Sequence, residues 1–390
     1  MRTAQAVIAA LLLLAVRPAA GEDEVKIGQT MPYSGPVSAA GTFGLAERAY
    51  YDMLNARGGV HGRRITLISH DDGYSPPKTI DETRRLVEEE HVLAIVGTVG
   101  TPTNSAVQKY LNQAKVPQLF ISSGATKWGD PQHFPWTMGW QPTYQSEGRA
   151  FTRYTLEHVP DPKIAILYQN DDFGRDYVKG FKDGLGADAA RYIIAETTYE
   201  TSDPTVDSQI VSLQASDATV FLNVTTQKFA AQAIRKAYDI GWKPLQFVTS
   251  IGASIGTVLK PAGVERAKGI ISARYLKDTT DPTWENDKGM QDFLAFMKDY
   301  LPNVDVSDAG AAGGYSIAMT FAEVLRQCGD DVSRENIMRQ AANLRHLELP
   351  MLLPGIAVDT APDNFFPIRQ LRLSRFNGET WVLFGGIDGP

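Results

Sequence analysis

The chain of 390 residues is 43% hydrophobic and 21% charged, carries a formal charge of −7, and has no lysine- or arginine-rich block. That composition excludes disordered and fibrous classes, and an acidic balance without a basic patch argues against nucleic acid or an anionic membrane surface as partner. A chain of this length has room for two or three domains with a sizeable core, and its partner is expected to be small or a protein.

The first 21 residues read differently from the rest. Arg2, an apolar stretch at 6–16, and then Ala19, Ala20 and Gly21 have the make-up of an export signal ending in small residues. The stretch is too short to cross about 30 Å of hydrocarbon, and no later stretch approaches about 18 uninterrupted apolar residues, so no membrane anchor is expected. The single cysteine, Cys328, rules out an internal disulfide and lies far from the region where a lipoprotein would be acylated. A soluble periplasmic protein is therefore expected, with Cys328 as a small core residue.

Beyond the signal, β-branched apolar runs at 25–29, 65–69, 93–96 and 118–121 read as buried strands. Between them, 45–57, 77–89 and 103–114 carry apolar residues at three- and four-residue spacing and read as helices, with the charged stretch 84–90 as a solvated helix face. Segment 136–144, rich in glycine, proline and aromatics, interrupts the pattern and reads as a crossing between lobes. Strands at 163–168, 193–197, 219–223 and 246–249 then alternate with helices at 174–185, 204–214 and 228–240. A strand at 269–273, a helical portion at 287–344 and a last strand at 380–384 complete the chain. Strand–helix alternation of this kind predicts an α/β protein of two doubly wound parallel-sheet lobes, with helices on both faces of each sheet.

Catalytic chemistry has few footholds. The six histidines are scattered, there is no HExxH, G-x-S-x-G or GxxxxGK[ST], and the single cysteine has no local nucleophile signature. Residues 97–100 lack the G-x-G-x-x-G spacing, and no acidic residue ends the next strand, so no dinucleotide is expected. Neither a metal nor another cofactor is expected, and the chain does not read as an enzyme. An anion site is better supported. Thr101, Pro102 and Thr103 open a helix directly after a strand, and Ser122, Ser123, Gly124, Ala125 and Thr126 follow the neighbouring one. Two such loops at the carboxyl end of a sheet can hold a carboxylate through N–H and O–H donors alone, although Thr101 and Thr126 also suit simple helix caps.

A resemblance emerges from several motifs in order. They are Pro32-Tyr33-Ser34-Gly35-Pro36, Gly41 and Gly44, residues 55–63 (NARGGVHGR), Asp71-Asp72, Ile95-Val96-Gly97, Ser123-Gly124-Ala125-Thr126, and residues 168–174 (YQNDDFG). Together they resemble the periplasmic leucine/isoleucine/valine-binding proteins of ABC importers. The resemblance implies a type I periplasmic binding protein: two lobes joined by a three-segment hinge, a solute held in the cleft, and closure recognised by membrane permease subunits. It implies a first lobe of residues 22–141 and 275–353, a second of 142–274 and 354–390, and action as a monomer.

Carried over residue by residue, the resemblance assigns the ligand carboxylate to Thr101, Gly124 and Thr126. The cleft aromatic falls at Phe173, which lacks the usual tyrosine hydroxyl. The two acids that meet an amino-acid ammonium fall at Gln141 and Ile251, so both carboxylates are missing. A further cleft aromatic falls at Thr225, and a first-lobe tyrosine near Ala40. Burying an ammonium without a charged partner costs several kcal/mol, so an α-amino acid is disfavoured. Room left by the small substitutions, with Trp128, Trp136, Trp140, Tyr144, Phe173 and Tyr275 as candidate walls, favours a flat ligand such as a benzoate or hydroxycinnamate. Arg274 and Lys277, which flank Tyr275, either add positive charge for an anion or are solvated. Two alternatives stay open. One is an amino acid or amide met by another acid such as Asp171 or Glu147; the other is an exported α/β enzyme, for which no catalytic constellation can be assembled.

Overall fold

The computed structural model describes residues 24–389. The expected export signal at 1–21 lies outside the described residues. The first sheet contains β1 (Glu24–Met31), β2 (Arg64–Asp71), β3 (Ala94–Val96), β4 (Gln118–Ile121) and β5 (Thr137–Gly139), all parallel, in the order β2-β1-β3-β4-β5. Strands β3 and β4 are buried at every residue because helices cover both faces. On one face lie α2 (Pro76–Arg84) and α3 (Thr101–Gln113), whose Val107 and Leu111 pack with Leu86 and Ile95. On the other face lies α1 (Thr42–Ala56). Central strand β1 has Gly28 where a Cβ would stand 2.9 Å from Ile95 and 3.2 Å from Leu86, so glycine there lets the helical layer seat on the sheet.

The second sheet has the order β12-β11-β10-β9-β8-β6-β7. Strands β6 (Ile164–Gln169), β7 (Ile193–Tyr199), β8 (Val220–Val224), β9 (Leu245–Val248) and β10 (Ile271–Arg274) form its parallel part. Strands β11 (Leu371–Phe376) and β12 (Trp381–Asp388) add an antiparallel edge. Its helices are α4 (Tyr144–His158), α5 (Asp172–Leu185), the single turn α6 (Ala189–Tyr192), α7 (Asp207–Gln214), α8 (Gln227–Asp239) and the short α9 (Lys260–Ala262). Helices α10 (Lys288–Tyr300), α11 (Ala309–Cys328) and α12 (Arg334–Ala341) return to the first lobe and share its core with α1.

The two expected α/β units are thus present. Segment 136–144 holds more than a crossing, since it contains β5 and the start of α4. The last boundary is corrected: Ile356, Val358, Phe365 and Ile368 pack in the first core, whereas Leu371 and Leu373 pack in the second. The final crossing therefore falls between Ile368 and Leu371 rather than at 353, because hydrogen bonds between Leu347 and Val358 and from the Thr360 hydroxyl to the Ala341 carbonyl tie residues 354–360 beneath α12. Trp140 is fully buried and donates from Nε1 to Thr320 at 3.0 Å, and Trp136 packs against the same core, so neither forms a cleft wall. Cys328 is buried in that core too, where burial pushes its thiol up to about 11.

Candidate functional site: an interlobe cleft

The carboxyl ends of both parallel sheets face one cleft, which holds about 1130 Å³ counted out to solvent. From the first lobe the wall is built by loops after β1, β3 and β4; from the second, by loops after β6, β8 and β9. The crossing strands close its back with Gln141, Tyr144 and Tyr275. This is where open α/β sheets place ligands, because strand ends and helix starts leave backbone groups unpaired there.

One end of the cleft is a donor pole. Helix α3 begins at Thr101 behind Gly100, whose φ of 104° favours glycine and whose missing Cβ would stand 2.6 Å from the Tyr74 ring. No side chain caps this start, so the α3 N-terminus keeps its positive end for the cleft. The Thr101 hydroxyl lies 2.7 Å from the Ser123 hydroxyl. Ser123 Oγ also receives the Trp128 Nε1–H at 3.0 Å and lies 3.4 Å from the Tyr144 hydroxyl. Beside this pole, Tyr144 stacks on Tyr177 at 4.4 Å, and Phe173 meets Tyr144 edge-on at 5.2 Å.

Of the residues singled out in the sequence, Ala40, Thr101, Ser122, Gln141, Tyr144, Phe173, Ile251, Arg274, Tyr275 and Lys277 line the cleft. The others stand behind it. Ser123 is the buried hub that orients Thr101 and Tyr144. A Cβ on Gly124 would stand 2.4 Å from the Pro142 carbonyl, so this residue lets the loop touch the crossing strand. Ala125 and Trp128 pack into the second-lobe core. Thr126 turns away and donates from its amide and hydroxyl to Asp176. Thr225 donates to Asn223 at 2.7 Å, leaving its neighbour Thr226 on the wall.

Charge is distributed in a way that sequence reasoning missed. Positions 141 and 251 indeed bring an amide and an apolar group to the wall. Asp171 is consumed as the α5 cap, accepting from the amides of Phe173 and Gly174. Glu147 lies behind the wall, only 3% exposed, and accepts from the Ser250 amide at 2.7 Å and the Ser250 hydroxyl at 2.8 Å. Burial there raises its carboxyl to about 7. On the wall itself stand Asp278, paired with Arg274 at 3.3 Å, and Asp308, which accepts from the Thr42 hydroxyl at 2.7 Å and from the Gly310 amide. Burial also holds the Asp308 carboxyl above its ordinary value. Asp308 caps α11, and nothing local in the sequence shows that this cap, so far along the chain, reaches the cleft.

The sequence profile of the family described as periplasmic binding protein matches residues 24–380. The chain belongs to that family. Among its relatives, the Leu/Ile/Val-binding protein homolog 7 of Brucella suis is 26% identical over 311 residues, covering 75% of this chain and 74% of that protein. A branched chain amino acid ABC transporter from Thermus thermophilus with bound valine superposes with a TM-score of 0.85 at 16% identity, over 95% of this chain and 97% of that one. A fatty acid ABC transporter substrate-binding protein from Thermomonospora curvata gives 0.76 at 19% identity, over 95% and 94%.

In this periplasmic binding protein two sets of contacts bridge the lobes. On one side Thr126 donates from its amide and hydroxyl to Asp176 at 2.8 and 3.0 Å, and Lys127 reaches Asp172 at 3.3 Å. On the other, Lys260 pairs with Asp305 at 2.7 Å, the Gly256 amide donates to the Ser307 carbonyl at 3.0 Å, and the Ala309 amide donates to the Ser254 hydroxyl. Removing the Asp176 carboxylate leaves the Thr126 donors unpaired in the closed form, a cost of about 1–2 kcal/mol. Asp176→Ala is accordingly expected to weaken ligand affinity about tenfold and to enlarge the radius of gyration of the liganded protein in small-angle scattering. Unchanged affinity and scattering would show that this bridge does not hold closure.

Proposed function

We propose that this periplasmic binding protein takes a small carboxylate with a flat apolar body, an aromatic acid of the benzoate or hydroxycinnamate type, into its cleft and presents it in the closed form to the permease subunits of an ABC importer. The observation that carries this reading is the pairing of the uncapped α3 start with the Thr101 and Tyr144 hydroxyls at one end, beside the Phe173 and Tyr144 rings and the apolar Ile251. Donors at a helix start suit an anion, and rings in an enclosed cleft suit a flat body. No covalent chemistry is needed, and capture with closure is the whole task.

The test is a thermal-shift panel on ligand-stripped protein, since a ligand that binds only the folded state raises stability as RT ln(1 + [L]/Kd). Aromatic carboxylates are expected to shift the transition and α-amino acids are not. Thr101→Val should weaken the acid roughly tenfold by leaving a carboxylate oxygen underpaired. A second reading, an amino acid, draws on Asp278 and Asp308 at the wall as partners for an ammonium and on the valine named for the Thermus structure. A shift with valine or leucine and none with aromatic acids would establish that reading in place of the first.

A further inference from the structure

We propose that the Arg274–Asp278 pair is a second recognition pole, which reads a hydroxyl group carried by the ligand at the end away from its carboxylate. The inference rests on the carboxylate reading above and specifies the ligand class further.

Arg274 is only 7% exposed, yet among the described residues its guanidinium donates to Asp278 alone, through one contact of 3.3 Å. A guanidinium has five N–H donors, so most of its capacity is unspent, and both side chains belong to the cleft wall. The other charges at this end are satisfied without a ligand. Lys277 is held by Asp287 and the Pro350 carbonyl, at 2.7 and 2.8 Å. Asp308 is held by Thr42 and Gly310, and the second Asp278 oxygen by the Thr280 amide and hydroxyl.

Both poles line one cleft, and the helix starts beside them, α3 at the donor pole and α11 at this one, lie on opposite faces of the first sheet. Thr101 starts a helix on the face that carries α2, whereas Asp308 starts α11 on the face that carries α1. Thr279 joins the pair to the α11 side by donating from its hydroxyl to the Val306 carbonyl at 2.6 Å. A ligand anchored at Thr101 therefore extends toward Arg274 and Asp278.

The pair selects by elimination. A second carboxylate would meet Arg274 but face Asp278 and Asp308, and an ammonium would meet Asp278 but face Arg274. An apolar end would leave most of the donors of a buried guanidinium without acceptors. A neutral group that accepts from the guanidinium and donates to the carboxylate satisfies both at once, and a phenolic hydroxyl is the simplest such group on a flat acid.

The test compares benzoate with 4-hydroxybenzoate, and cinnamate with 4-hydroxycinnamate, by isothermal titration calorimetry on wild-type protein and on the double variant Arg274→Met/Asp278→Leu. Replacing a buried ion pair by apolar groups of similar size is commonly tolerated by a fold. Wild type is expected to bind the hydroxylated member of at least one couple tenfold or more tightly, and the double variant to bind both members alike. Asp278→Asn, which keeps the shape, is expected to cut the preference at least threefold and serves if the double variant does not fold. Equal binding of both members by wild type, or a preference that survives the substitutions, overturns this proposal while leaving the carboxylate reading intact. If none of the four acids binds wild type, the carboxylate reading fails and takes this one with it.

Discussion

In Glu147→Gln protein, stability is expected to lose the decline with rising pH that Glu147 gives the wild type. The carboxyl has an ordinary value of 4.5 and stands at about 7 in the folded protein. Burial is the main cause, opposed by the Ser250 donors, the Tyr177 hydroxyl and the charge of Arg274. Between those two values the unfolded chain has released the proton and the folded chain keeps it, so the stabilising contribution is complete below pH 4.5 and is lost as pH rises through 7. The full span is about 3 kcal/mol. Glutamine keeps the shape, accepts from the Ser250 amide and has no charge to bury. Urea denaturation of both proteins at pH 5 and pH 8 reads the difference directly: a variant more stable by less than about 1 kcal/mol at pH 5, and by about 3 kcal/mol at pH 8. Glu47 is also buried, and burial likewise raises its carboxyl well above the ordinary value, but it is present in both proteins and cancels. Parallel pH profiles would mean that Glu147 does not hold its proton near neutrality.

A second large effect is expected from Gly314→Ala. Helices α11 and α1 cross at this glycine, where a Cβ would stand 2.2 Å from the Phe43 carbonyl oxygen, 2.9 Å from its carbon and 3.0 Å from its Cα. All three are backbone atoms, so no side chain can swing aside and the helices must separate. Overpacking of this kind costs about 3 kcal/mol. Phe43 also forms part of the cleft wall, so ligand affinity should fall with stability. Gly386→Ala, with nothing within 4 Å of the added carbon, is the matched control and is expected to be neutral within about 0.5 kcal/mol. A Gly314→Ala denaturation midpoint equal to wild type would exclude the close helix crossing.

Legibility from sequence followed the range of the forces involved. Strands β3 and β4 are apolar throughout because the helices that bury them are their own sequence neighbours, and local pattern reveals such elements. Strand β11, with Arg372 and Arg375 interrupting its apolar residues, gave no such run; its place follows from antiparallel pairing with β10, about a hundred residues earlier. The site divided in the same way. Thr101 was readable because it both ends a strand connection and starts a helix. Thr126 shares its loop chemistry but points to Asp176, a partner that only the assembled lobes define. Asp278 and Asp308 escaped notice because one comes from a crossing strand and the other from a helix cap, each brought to the cleft by the hinge topology.

The interleaving of the lobes also bears on how the chain acquires its shape. The first core joins Val25 on β1 to residues as late as Ile368, and the second joins Ile121 to Leu373. Neither hydrophobic interior can close until nearly the whole polypeptide is present. A chain emerging with its N-terminus first stays threadable for most of its length, then condenses both lobes together through contacts of long sequence separation. Collapse of that kind is slow, and it ties the two halves into one cooperative event. A fragment stopped before α11 contains neither finished interior, so tolerance of truncation should be poor from the C-terminal side.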